Sequence, residues 1–346
     1  MKTIKLITLL LFASLMFTAL SQHAQAGPPP AFVGYTISDD ATGGDCNTIG
    51  VWDSSTKTCV LTQDVECITN ATTDICMEIQ SDDIVFNCKE HQLFDNFGGP
   101  SGTGVRILGH SGVKIKRCDF DNFDIGIQVL NSDNINILLN TFTFTDLQSI
   151  NLQSTDSSYI VGNEALDGST DQMLFHNITK NNHVIGNKIN AGSTFAGFVI
   201  SDCTNDSFIA NSSNDAQDSV DGDGFNINGC VRSEFINNSV DGNDGSGFVY
   251  QNSSRSTIFA NIADGNKLES MTIGGGFVID NNSGSLTFEQ NISDNAQPGS
   301  VDGIGIIDNS TGKKTSGTAN TYEGNTCDGN AGGSSSPSGL CTGLNP

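Results

Sequence analysis

Basic residues are scarce in this chain: 15 Lys and Arg stand against 39 Asp and Glu, for a formal net charge of −24. That balance excludes nucleic acid as a partner, because phosphates are held by Lys and Arg. It also excludes adsorption to an anionic lipid surface. No Cys-x-x-Cys pair occurs and no His-x3-His accompanies the cysteines, so zinc-type ligand spacing is absent. Long apolar runs are missing with one exception. Lys2 and Lys5 precede an uncharged run from Leu6 to Leu20, and Ala24-Gln25-Ala26 follows it. This is the layout of a secretory signal peptide, so residues 1–26 are expected to be removed and the mature chain to begin near Gly27. The run is too short for a comfortable membrane span, and no later stretch approaches one, so no membrane span is expected. No Cys lies near the cleavage point to carry a lipid anchor.

Without Lys2 and Lys5 the mature chain keeps 13 of its 15 basic residues against all 39 acidic ones. Such acidity suits a soluble periplasmic or extracellular protein that attracts cations. All ten cysteines lie beyond the cleavage point, and an even count in an exported chain reads as disulfides. Aromatics are few and mostly Phe, whereas 39 Gly accompany abundant Asn, Asp, Ser and Thr. A helical protein would be richer in Ala, Leu, Glu and Lys. This composition predicts many short strands and tight turns.

Two anchors recur along the chain. One is a short apolar strand, often opened by Gly, as in Gly104-Val-Arg-Ile107, Gly126-Ile-Gln-Val129, Gly224-Phe-Asn-Ile227 and Gly247-Phe-Val-Tyr250. The other is an apolar residue three places before an Asn: Ile137/Asn140, Ile160/Asn163, Val184/Asn187, Phe208/Asn211, Phe235/Asn238, Ile258/Asn261 and Phe288/Asn291, with Cys118 opening the series and Asn320 continuing it. The mean step is about 25 residues, one coil of three short strands and three turns. Alternation within each strand sends Val105, Ile107, Phe225, Ile227, Phe248 and Tyr250 inward. The Asn residues are expected to stack as an amide ladder at one turn. The fold class expected is therefore all-β, a single-stranded right-handed parallel β-helix of about nine coils.

These repeats resemble those of the pectate-lyase-like superfamily of parallel β-helices, especially its secreted carbohydrate-binding and sugar-hydrolase type. The segments Ile84-Val-Phe-Asn-Cys-Lys-Glu-His-Gln-Leu93 and Gly112-Val-Lys-Ile-Lys-Arg-Cys-Asp-Phe120 carry the likeness along with the repeats, over roughly 81 to 326. The resemblance implies a fold and a polysaccharide-related role. It does not choose among lyases, hydrolases, epimerases and non-catalytic members. Polygalacturonase-like enzymes combine Asn-Thr-Asp, Asp-Asp, Gly-His-Gly and Arg-Ile-Lys. Here Asp82-Asp83 stands without those partners and Gly109-His110-Ser111 is not the His motif. The epimerase Asp-Pro-His-Asp and the lyase Arg-x4-Pro are missing too. A copper role, as in the β-helix accessory proteins of nitrous oxide reductase, would need clustered His and Met. Met77, Met173 and Met271 are instead dispersed among four His.

Residues 27–80 lack the repeat and read as a disulfide-containing N-terminal cap, since a stack of coils needs its ends covered. The β-helix is expected over 81–326. The tail, 327–346, is closed by Cys327 and Cys341. Cys203 and Cys230 each lie five residues after their anchor Phe. On adjacent coils they would be separated by the strand spacing of about 4.8 Å, within reach of a disulfide.

Three constellations carry candidate chemistry. The outward positions of the Gly-introduced strand include Gln128, Asn151, Gln153, His176, Asn226, Asn228, Gln251 and Asp280. Amides and hydroxyls both donate and accept, which suits sugar hydroxyls. An acidic column, Asp241, Asp264, Asp294 and Glu323, follows the Asn ladder by three residues and offers the oxygen donors that calcium prefers. Asp215, Asp218, Asp221 and Asp223 form a second acidic group without the EF-hand order. A basic patch contains Lys89, Arg106, Lys114, Lys116 and Arg117, with His91 and His110. Arg106, Lys114, Lys116 and His110 are the candidates for abstracting a proton beside a uronic-acid carboxylate and neutralising its charge. The expected partner is a polysaccharide, bound with or without cleavage. The alternative is a structural or adhesive surface protein. Nothing in the pattern sets an oligomeric state.

Overall fold

Inward and outward residues alternate along almost every short strand, and each coil stacks on the last in register. The computed structural model describes residues 34–342 apart from 70, 72, 97–98, 167, 169–171, 177–178, 191–195, 217–221, 267–274 and 295–302. The expected signal peptide, 1–26, lies outside the described residues. Three long sheets, each taking one strand from every coil, form a right-handed parallel β-helix. Sheet 1 has 12 strands, from Tyr35–Ile37 to Gly333–Ser336. Sheet 2 has 12, from Gly50–Asp53 to Thr321–Glu323. Sheet 3 has 11, from Val65–Cys67 to Thr326–Asp328. One coil runs Phe225–Asn228 in sheet 1, Glu234–Ile236 in sheet 2 and Ser239–Asp241 in sheet 3, then re-enters sheet 1 at Phe248–Gln251. Among the described residues only the pair Gly50–Asp53 with Thr58–Leu61 is antiparallel.

The core is a set of ladders. Phe198, Phe225, Phe248 and Phe277 stack face to face at 4.4 to 5.0 Å inside sheet 1. Phe208 and Phe235 do the same inside sheet 2, at 5.0 Å. Glycines open the sheet 1 strands because the inward side chain of sheet 3 occupies the space where a Cβ would go. A Cβ on Gly224 would run into the Val240 side chain and come within 2.8 Å of the Gly247 carbonyl oxygen. Gly224→Ala is therefore expected to destabilise the fold by about 1–3 kcal/mol, as overpacking does. Urea unfolding of the variant beside the parent checks it, and an unchanged midpoint would mean the helix widens freely there.

At the corner between sheets 2 and 3 the amide ladder is complete from Asn140 through Asn163, Asn187, Asn211, Asn238, Asn261 and Asn291. Each Nδ2 donates to the next Oδ1 at 2.9–3.1 Å. The eighth member is Asn325, not Asn320. Asn320 belongs to the corner between sheets 1 and 2, where its Oδ1 accepts the Leu286 N–H at 2.9 Å. Asn211 and Asn291, which also read as glycosylation sequons, are buried in the ladder.

Five disulfides are present: Cys46–Cys59, Cys67–Cys76, Cys88–Cys118, Cys203–Cys230 and Cys327–Cys341. Cys203–Cys230 and Cys88–Cys118 clip neighbouring coils, with Cα atoms 4.5 and 4.8 Å apart. The segment read as a cap already supplies a rung to every sheet: Thr58–Leu61, Val65–Cys67 and Ile75–Ile79 pair in parallel with the coil that follows. The tail does likewise, with Gly333–Ser336 pairing onto sheet 1. The solenoid thus extends past both expected boundaries, 81 and 326. Among the described residues no helix is long and apolar enough to cross a membrane.

Candidate functional site

The outer face of sheet 1 collects the polar residues singled out above. Its outward side chains form two columns, because a parallel register keeps equivalent positions about 4.8 Å apart. One column runs Arg106, Gln128, Asn151, Leu174, Val199, Asn226, Val249, Val278. The other holds Leu108, Leu130, Gln153 and His176, then Ser201, Asn228 and Gln251, with Asp280 on the next coil. All eight candidate binding residues therefore share one face, interleaved with apolar Leu174, Val199, Val249 and Val278.

Their hydrogen-bonding capacity is not equally free. Asn151 Nδ2 donates to Gln148 Oε1 at 3.3 Å, while its Oδ1 is buried without a partner. Asn226 Nδ2 lies 3.5 Å from Asp223 Oδ2. Asn228 Oδ1 accepts from Asn252 Nδ2 at 2.9 Å. The Asp280 carboxylate is committed to its own turn: Oδ1 accepts the Asn282 and Ser283 N–H groups at 3.1 and 2.7 Å, and Oδ2 accepts the Asn252 N–H at 3.2 Å. Burial holds the His176 imidazole below its ordinary pKa, which favours the neutral ring.

The basic patch does not assemble as one site. Arg106 is on sheet 1, where it is paired with Glu78. Burial pushes the Glu78 carboxyl up, but the Gln80 amide and the Arg106 guanidinium together hold it below its ordinary value. Lys114 and Lys116 are on the outer face of sheet 2. His110 lies in the turn between, with Nδ1 3.1 Å from Asp82 Oδ1, and His91 pairs with Asp64 at 3.2 Å. The four residues proposed to act together thus spread over two sheets and a turn, and Arg106 is neutralised.

The acidic column is real but differently composed. Asp241, Asp264, Asp294 and Asp328 stand in register on sheet 3. Glu323 is not among them, because it lies beside Glu289 on sheet 2. Burial, then the Asp264 and Asp215 charges, push the Asp241 carboxyl up. The carboxylates stand one per coil, and among the described residues no group of three or more His, Cys, Asp or Glu is placed to hold a metal. Of the second acidic group, Asp218 and Asp221 lie outside the described residues, and Asp223 is buried with Oδ1 accepting the Ser246 N–H at 2.8 Å. Sequence reasoning did not point to a cleft of about 340 Å³ lined by Glu66, Cys67, Ile68, Asp95 and Asn96. Its Asp95 is already engaged by the Thr69 and Ser101 hydroxyls.

A sequence-family model for periplasmic copper-binding proteins, NosD, matches residues 75–269, more than half of the chain. The chain belongs to the NosD family. The NosD match covers the coils of the sheet 1 face from Arg106 to Gln251. The periplasmic description of the family and the five disulfides both agree with export.

Copper finds no matching donor set among the described residues. Every cysteine is in a disulfide. Met77 and Met173 are fully buried among core side chains. His91 and His110 are tied to separate aspartates, His176 is on sheet 1, and His183 stacks on Tyr159 on sheet 2 at 4.8 Å.

Among solved structures, the mannuronan C-5 epimerase AlgE6 A-module of Azotobacter vinelandii is similar, with a TM-score of 0.50 and 11% identity, covering 94% of this chain and 92% of that one. The catalytic domain of a GH87 alpha-1,3-glucanase in complex with nigerose has a TM-score of 0.49 and 11% identity, covering 93% and 69%. At such identity the likeness is one of fold. No curated protein matches the sequence.

Proposed function

We propose that this exported β-helix binds a polysaccharide laid along the outer face of sheet 1. One observation carries the reading: amide, hydroxyl and imidazole side chains recur in register on that face, from Gln128 and Asn151 to Asn228 and Gln251. One coil rises by about 4.8 Å, comparable to a single sugar unit, so a regular polymer meets an equivalent row at each step. Amides serve sugar hydroxyls as donors and acceptors together. The intervening Leu174, Val199 and Val249 offer apolar contact for ring C–H faces. Cleavage is not part of the proposal, because the candidate acid–base residues are not gathered on this face. Calcium at Asp241, Asp264 and Asp294 enters as a condition of the test.

The experiment sets mature protein, residues 27–346, against neutral and uronic-acid polysaccharides, with calcium and with chelator. Retention by one polymer is the expected result. The variant Asn226→Ala with Gln251→Ala should bind it about tenfold or more weakly, the loss of two hydrogen-bonding groups. Unchanged binding by that variant would exclude this face. Binding to no polymer would favour the structural or adhesive reading. New reducing ends or unsaturated products would make the protein an enzyme.

A further inference from the structure

The fold requires apolar residues only on the inside of each strand. On the outer face of sheet 2 one column is apolar for six successive coils: Leu138, Val161, Ile185, Ile209, Ile236 and Phe259 stand in register. All six are only partly buried. The outward column of sheet 3 on the same six coils reads Thr143, Leu166, Asn190, Asn214, Asp241 and Asp264, so the unbroken apolar run is on sheet 2 and not on sheet 3. In a chain this acidic, a continuous apolar stripe marks a surface meant to be covered.

The charges at its ends say what covers it. Lys116 precedes Leu138 in the column, with Lys114 in the same strand. Glu289 follows Phe259, and Glu323 follows Glu289. Among the described residues Lys114, Lys116, Glu289 and Glu323 have no ionic partner. The stripe is thus basic at one end, apolar through the middle and acidic at the other.

We propose that this face of sheet 2 pairs with the same face of a second copy of the chain, antiparallel about a two-fold axis between Ile185 and Ile209. Such an isologous contact is self-complementary. It sets Lys116 against the partner's Glu289, Leu138 against the partner's Phe259, Val161 against the partner's Ile236 and Ile185 against the partner's Ile209. A parallel arrangement would instead oppose Lys to Lys and Glu to Glu. Eight coils at the strand spacing span about 34 Å, and a width of roughly 20 Å gives about 700 Å² per copy, close to a standard specific interface. Sheet 1 points elsewhere and stays open, so a dimer would present two polysaccharide faces.

Sedimentation velocity on the mature chain at about 1–100 µM tests the pairing. A concentration-dependent dimer is expected. Ile209→Glu, which puts a carboxylate into the apolar centre twice per dimer, should weaken association by at least about a hundredfold. Lys116→Glu and Glu289→Lys should each weaken it, and the two together should restore it. These side chains point outward, so circular dichroism should not change; if Ile209→Glu fails to fold, the exchange of Lys116 and Glu289 decides alone. A monomer at every concentration, a dimer indifferent to Ile209→Glu, or single charge reversals that the double variant does not rescue would overturn the proposal. So would a monomer that floats with uncharged lipid vesicles through this stripe.

Discussion

Asn238→Ala is expected to destabilise the fold by about 3–6 kcal/mol, because each buried polar group left without a partner costs about 1–3 kcal/mol. The substitution strands several groups at once. Asn211 N–H and Asn211 Nδ2 both donate to Asn238 Oδ1, at 3.0 and 3.1 Å. The Phe208 carbonyl loses the Nδ2 donor at 2.9 Å, and Asn261 Oδ1 loses another at 3.0 Å. Asn238 has no exposed surface, so water does not substitute for them. A control is Asn136→Ala, on the outer face of sheet 2, which should change stability by no more than about 0.5 kcal/mol. Urea unfolding gives both values. Amide hydrogen exchange should show the Asn211 N–H losing protection first, since solenoid contacts are between neighbouring coils. A loss below about 1 kcal/mol would mean that the ladder closes up around the gap.

The ladder is costly to interrupt because of the backbone beside it. The residue before each ladder position is left-handed: Arg117, Leu139, Gly162, Gly186, Ala210, Asn237, Ala260, Gln290 and Gly324 all have φ between 52° and 64°. For Leu139, Ala210 and Ala260 this conformation costs about 1–2 kcal/mol each. The sharp corner from sheet 2 to sheet 3 needs it. The amide that follows holds the corner by bonding to the coil on either side. Sequence repeats, local strain and the hydrogen-bond network therefore meet at one residue per coil.

This also explains what was legible in the sequence. Inward residues and ladder amides are constrained coil by coil, so their period of about 25 residues shows through, and with it the fold. The last rung was misplaced because the long connection between sheets 1 and 2, which includes Thr315–Gly317, carries its own buried Asn320. Tyr322, an aromatic residue three places before Asn325, was the signal that the rule continued. The first rungs were missed because Val65–Cys67 and Ile75–Ile79 have no ladder Asn and lean on the Cys67–Cys76 disulfide instead. The outer faces are a different matter. No packing rule fixes them, so Arg106 and Lys116 look adjacent in sequence yet occupy separate sheets. The sheet 1 columns could be read because alternation alone places them. Which of their amides are already engaged could not, since Asn252 and Asn282 reach in from the turn.

The corner between sheets 1 and 2 leads to the second large effect, which is on pH. Its ladder passes through Ser158, Asn182, Asp206, Ser233 and Ser256, and Asp206 is the ionisable member. Asp206 Oδ1 accepts the Asn182 N–H and Nδ2 at 2.6 and 3.0 Å, and Oδ2 accepts the Thr204 N–H at 2.8 Å. Burial outweighs these donors and pushes the carboxyl up to about 6 from an ordinary 3.8. Between those values Asp206 binds more protons in the folded state than in the unfolded state, so its contribution to stability is fullest below pH 3.8 and falls as pH rises through 6. A shift of about two pH units limits the loss to about 3 kcal/mol. Asp206→Asn keeps an oxygen acceptor for Asn182 and removes the titration. Other carboxylates titrate alike in both proteins, including Asp64 and Asp82, whose pKa values are lowered by backbone N–H groups. The decisive quantity is thus the difference between pH 4 and pH 7 in unfolding free energy, parent minus variant. It should come to about 2.4 kcal/mol in the direction of parent stability lost at pH 7, even though the Asn side chain disturbs the Thr204 bond at both pH values. Parallel pH profiles would mean that water or local opening keeps the Asp206 carboxylate solvated, and the buried ladder at this corner would then be looser than its hydrogen bonds indicate.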